Sequence, residues 1–135
     1  EEPAAAGPLE TLAAHRTHEL DAKLQFEIAV QFWAGSGARD CGDLRRGPEV
    51  RAALECARQA LREKAAFFLF EPLRGIDSIV IQALASRGGE VYRIFHFDSL
   101  AAGADARANL KRIHQRPCPG PQILDEATPK IVCPY

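Results

Sequence analysis

Asp77, His96 and Asp98 are the residues of this chain best suited to acid–base or metal chemistry. They fall in two β-rich runs, 76–87 and 90–97, separated by Gly88-Gly89, a dipeptide that closes two-residue hairpins. With these glycines as the loop, Arg87 stands opposite Glu90, and counting outward pairs Ile81 with His96 and Ile79 with Asp98. Asp77 is then diagonal to Asp98 on the His96 face, within the roughly 7–8 Å reach of diagonal cross-strand neighbours. Two carboxylates and an imidazole converging there form a donor set for a divalent metal, or a general acid and base. The same residue types also suit strand ends, where Asp77-Ser78 and Asp98-Ser99 bond nearby backbone N–H groups and His96 is half-buried.

His15 and His18, with Glu19 beside them, reach one side of a helix and are the second candidate metal ligands. They lack the H-E-x-x-H pattern, and exposed histidines on an N-terminal arm are the alternative. There is no G-x-S-x-G elbow, phosphate-cradling P-loop or dinucleotide glycine motif, and no cofactor is expected.

Cys41, Cys56, Cys118 and Cys133 form two equally spaced pairs without the C-x-x-C spacing of zinc ribbons or thioredoxin-like sites. Pairing nearest neighbours, Cys41 with Cys56 and Cys118 with Cys133, closes two short loops. Each such loop contributes roughly 3 kcal/mol in the chain-entropy model. The alternative is four buried, reduced thiols. Disulfides imply an oxidising compartment. The chain contains no methionine, and Glu1 to Pro8 has the small, polar character of a spacer left after leader removal. These features lead to the expectation of a periplasmic or secreted protein, and the Ala- and Arg-rich composition to that of a bacterial source.

Aromatic residues form a third candidate site. In the inferred register Phe95, Phe97 and Arg93 share a hairpin face with Val80 and Leu84, while Ala83 and Ala85 lie on the opposite face, open to close approach by a helix. The phenylalanine face then needs another cover: the N-terminal arm, a second copy or a different protein. Trp33 either joins that surface as an interface anchor or folds back beneath the glycine-rich loop that follows it.

The elements that must position these residues follow from periodicity. Residues 8–22 have a broken apolar stripe that predicts a weakly helical arm. Leu24, Phe26, Ile28, Val30 and Phe32 alternate with less apolar residues and predict a strand. Residues 34–47 contain four glycines and read as a loop. A helix over 48–64 carries the stripe Val50, Ala53, Leu54, Ala57, Ala60 and Leu61, with Glu49 and Arg62 suitably placed at its ends. Ala66 to Glu71 predicts a strand and 105–114 either a short helix or a strand. Cys118 to Pro121 must turn, and Lys130 to Cys133 suits a short edge strand.

The order predicts an α+β domain over 23–135, one main helix on a four- to five-stranded antiparallel sheet, preceded by an arm over 1–22. A chain of 135 residues, 47% apolar and 26% charged, can bury one core. Its longest apolar run, Ala65 to Phe70, falls far short of the ~20 residues of a membrane-spanning helix. A formal charge of −1 gives no global reason to bind nucleic acid. The local basic cluster, Arg107, Lys111, Arg112, His114 and Arg116, suits either a solvated face or an acidic partner. The expectation is an exported, non-catalytic protein-binding module, such as an accessory subunit of a cell-envelope assembly or an inhibitor. A protein partner or self-association is expected. A small enzyme or metal site at Asp77, His96 and Asp98, and a carrier of a small apolar ligand, are the alternatives.

Overall fold

A computed structural model describes residues 22–44, 49–73, 80–98, 113–126 and 129–134. Asp77, His15, His18, most of the expected arm and most of the basic cluster lie outside the described residues. Five strands, β1 (Arg39–Asp43), β2 (Phe67–Leu73), β3 (Val80–Gly88), β4 (Val91–Asp98) and β5 (His114–Pro117), form one sheet in that order. The β1–β2 pair is parallel and the rest antiparallel, so the sheet is mixed rather than wholly antiparallel. A parallel pair needs a crossover, which is α2 (Glu49–Glu63). A separate two-stranded sheet joins β6 (Gln122–Leu124) to β7 (Lys130–Val132).

The largest departure from expectation is at residues 22–34, a helix, α1, and not a strand. Two residues advance about 200° around a helix, so alternate apolar positions divide into two opposed stripes. Ala22, Phe26, Val30 and Ala34 form one and are buried; Leu24, Ile28 and Phe32 form the other and are exposed. Strand-like alternation over 24–32 is therefore also the pattern of a helix apolar on two faces.

Residues alternate along a strand between the two faces of a sheet. On one face, Phe67, Leu69, Leu84 and Ile94 pack with Ala53, Leu54, Ala57 and Ala60 of α2. On the other, Phe68, Phe70, Ile81, Ala83, Ala85, Phe95 and Phe97 pack with the inward stripe of α1. The helices thus cover opposite faces. Ala83 stands between Phe70 and Phe95 across three strands, leaving a trough where larger side chains would stand. Phe26 fills the neighbouring space, its ring 5.5 Å from Phe97 and 6.3 Å from Phe70. The small alanines accept α1, where the sequence pointed to α2.

Both expected disulfides are present, Cys41–Cys56 and Cys118–Cys133. The first ties β1 to α2 and the second ties the segment after β5 to the segment after β7. All four cysteines belong to or pack against the α2-side core. Among the described residues no helix is long and apolar enough to cross a membrane.

The two stripes of α1 make opposite predictions for truncation. Phe26→Ala, which empties a fully buried site, is expected to destabilise the fold by about 3–5 kcal/mol. Phe32→Ala is expected to stay within about 0.5 kcal/mol of wild type. Chemical denaturation of both variants measures the contrast.

Candidate binding site

The β3–β4 hairpin sets the geometry of the candidate residues. Its ladder pairs Val80 with Asp98, Ile81 with Phe97, Gln82 with His96 and Ala83 with Phe95, and slips between Ser86 and Gly88 to end on Gly88 with Val91. The loop is therefore Gly89-Glu90, with a bulge at Arg87, and not Gly88-Gly89. Both glycines have positive φ, +102° at Gly88 and +66° at Gly89, where a Cβ is strained. Ser86 Oγ accepts the Gly88 N–H at 3.0 Å. A bulge adds one residue to one strand, and a one-residue slip exchanges faces. Phe95 and Phe97 consequently share a face with Ile81, Ala83 and Ala85, rather than with Val80 and Leu84.

This register alters the Asp77, His96 and Asp98 constellation. His96 and Asp98 do share a face of β4, but Asp98 stands opposite Val80 and not Ile79, which removes the pairing that aligned Asp77 with them. In its place a polar row crosses four strands, Glu71–Gln82–His96–His114. His96 and His114, directly opposed, line a cleft of about 260 Å³ with Gln82, Ile94, Gln115 and Arg116. Such an imidazole pair can pass a proton or contribute two metal ligands. Among the described residues no group of three His, Cys, Asp or Glu is placed to hold a metal ion.

Glu71, at the inner end of this row, is buried. One of its oxygens, Oε1, accepts from Gln82 Nε2 at 2.8 Å and from the Ile131 backbone N–H at 3.2 Å. Burial raises its pKa above the usual carboxyl value, and the two hydrogen bonds and the charge of Lys130 only partly offset that effect. The carboxylate therefore anchors β7 to the sheet at an electrostatic cost.

The aromatic candidates converge elsewhere, at the C-terminal end of α1. Trp33 is half-buried on α1 and meets Phe95 edge-on, with ring centroids 5.9 Å apart. The Arg87 and Arg93 guanidinium carbons lie 4.5 and 5.3 Å from the Trp33 ring centroid, within cation–π range. Arg87 Nε also donates to the Trp33 carbonyl at 2.8 Å, and Arg93 Nη1 donates to Gln115 Oε1 at 2.8 Å. The bulge that displaces Arg87 from the ladder brings it within reach of α1. Phe95 and Phe97 are buried beneath α1, so the phenylalanine face is part of the core and not an open docking surface. Phe95 keeps one edge on a cleft.

That cleft, about 430 Å³, is lined by Ala29, Phe32, Trp33, Arg87, Phe95, Ile113 and Gln115. A second, about 660 Å³, lies beside Ile28, Phe32, Ala38 and Phe68. Phe32 lines both and stands between them, 79% exposed. Sequence reasoning named Trp33, Phe95 and Arg93, which this site brings together, and missed Phe32, Ile28 and Arg87. Helical phasing of the 24–32 alternation would have found the first two. Comparison of the chain with family models, curated proteins and solved structures gives no match to any of them.

The raised pKa of Glu71 fixes the sign of a pH effect. A carboxyl that protonates more readily when folded stabilises the fold fully below 4.5, and that contribution is lost as pH rises through its folded value. Glu71→Gln keeps an acceptor without the charge. Its stability relative to wild type is therefore expected to increase as pH rises from below 4.5 to neutrality, as measured by urea unfolding across that range.

Proposed function

We propose that this protein is a non-catalytic binding module, exported to the periplasm or secreted, that engages a protein partner through the outward face of α1 and the clefts beside Phe32. One observation carries the reading. Leu24, Ile28 and Phe32, 53%, 53% and 79% exposed, align on the face of α1 opposite the sheet. A helix that covers a sheet needs only one apolar stripe. The second stripe adds nothing to the core and exposes apolar area to water, the signature of a surface that is covered by something else in use.

The clefts give this ridge a relief that a flat patch lacks. Phe32 offers an aromatic anchor of the kind that dominates interface energetics, with Trp33 beside it at the base of one cleft. The two disulfides fit an oxidising compartment outside the cytosol. They leave no free thiol among the described residues, so a role for cysteine as nucleophile has no support there.

The reading is tested by parallel purification from the native source with wild type and Phe32→Ser as baits. Wild type is expected to retain a specific partner that Phe32→Ser loses, with both baits unfolding at the same denaturant midpoint. Recovery of the same proteins with both baits refutes the role of this face.

A further inference from the structure

Resting on that reading, we infer that the partner segment is acidic as well as apolar, with carboxylates that meet Arg87 and Arg93 while its apolar side chains fill the cleft beside Phe32 and Trp33. The first argument is charge complementarity. Several basic side chains elsewhere on the described surface are matched by acidic ones: Lys23 with Glu27, Arg39 with Glu63, Arg51 and Arg58 with Asp125, Lys64 with Glu90, and Lys130 with Glu126. Beside the α1 cleft two arginines lack such a match. Among the described residues neither Arg87 nor Arg93 pairs with a carboxylate, and their partners are neutral: a carbonyl, an amide and an aromatic ring. Arg93 Nε is buried without a hydrogen-bond acceptor, although buried donors are ordinarily satisfied.

The second argument is preorganisation. Guanidinium groups are always charged and bind carboxylates through a planar fork, at an entropic cost that is lower when the fork is already held. Here the Trp33 ring and carbonyl fix Arg87, and the ring and Gln115 fix Arg93. Arg87 thus lines the cleft with Phe32, Trp33, Phe95 and Ile113, and Arg93 is held against two lining groups, the Trp33 ring and Gln115. A chain with a formal charge of −1 has no global attraction for acidic partners, so the preference belongs to this cleft. The outward stripe of α1, Leu24, Ile28 and Phe32, is uncharged and supplies apolar contact alone.

The test is selection of a random dodecapeptide library on the immobilised full chain, followed by titration of the enriched peptides. Trp33 is the only tryptophan, so its emission reports occupancy of this cleft directly. Enriched peptides are expected to combine Asp or Glu with Leu, Phe or Trp. Tryptophan-free members should shift Trp33 emission saturably. Arg87→Glu, at an exposed position, is expected to weaken their binding at least about tenfold, in the range seen when one member of an interfacial charge pair is lost. It should also turn selection away from acidic sequences. Far-ultraviolet circular dichroism and the denaturant midpoint check that this variant remains folded, because Arg87 also contacts the Trp33 ring and carbonyl.

The failures are distinguishable. Enrichment of neutral or basic apolar peptides that still shift Trp33 overturns the acidic preference and leaves the binding module standing. No enrichment, or enrichment without any response at Trp33, overturns both. Concentration-dependent self-association abolished by Phe32→Ser overturns the inference by assigning the surface to a second copy.

Discussion

Phe68, Phe70, Phe95 and Phe97 emerge from one face of the sheet, while Phe67, Leu69, Leu84 and Ile94 emerge from the other. A sheet apolar on both faces must be covered twice, and everything else in the molecule follows from how the covers are supplied. The crossover between the parallel strands β1 and β2 places α2 on one side. The helix preceding β1 is left to cover the other, where alternating phenylalanine and alanine give it a trough. Burial of a side chain such as Phe26 contributes roughly 1.5–3 kcal/mol, and its contacts with Phe70 and Phe97 add aromatic geometry to that area.

The covers are secured differently. Both disulfides lie in the α2 layer, where Cys41–Cys56 fixes the helix to β1 and Cys118–Cys133 holds together the segments flanking β6 and β7. Glu71 completes that layer through its bond to the Ile131 N–H, tolerating a buried carboxyl to do so. The α1 layer has no covalent staple among the described residues. It is held by apolar packing and by Arg87, whose bond to the Trp33 carbonyl links the hairpin bulge to the end of the helix.

Much of this was legible in the sequence because it depends on local rules. The α2 stripe and its end charges predict Glu49–Glu63 closely, and nearest-neighbour cysteine pairing needs only short loops. The hairpin was legible in outline but not in register, because two adjacent glycines admit more than one turn. Only the assembled sheet selects the bulge at Arg87. Strand β1 was hidden because Arg39-Asp40-Cys41-Gly42-Asp43 has one buried side chain and pairs at an edge. Strand β5 was hidden because all four of its residues are exposed. The candidate site inherited these errors. Of the expected aromatic set Trp33, Phe95, Phe97 and Arg93, the fold brings Trp33, Phe95 and Arg93 together, but the surface around them is not visible when 24–32 is read as a strand.

The same alternation carries the apolar stripe on which the proposed binding role rests. Nine residues of clean alternation satisfy a strand with one buried face, and they satisfy a helix only if it is apolar on two opposite sides. The sheet accounts for Phe26 and Val30 but not for Ile28 and Phe32, so selection for folding explains half of the pattern. Because Trp33 and Phe32 belong to the helix that shields Phe95 and Phe97, occupancy of the outer surface and integrity of the inner one are linked. A partner that binds α1 only in its docked position stabilises that docking by mass action. The unstapled layer of the molecule is thus the layer whose stability a partner can raise.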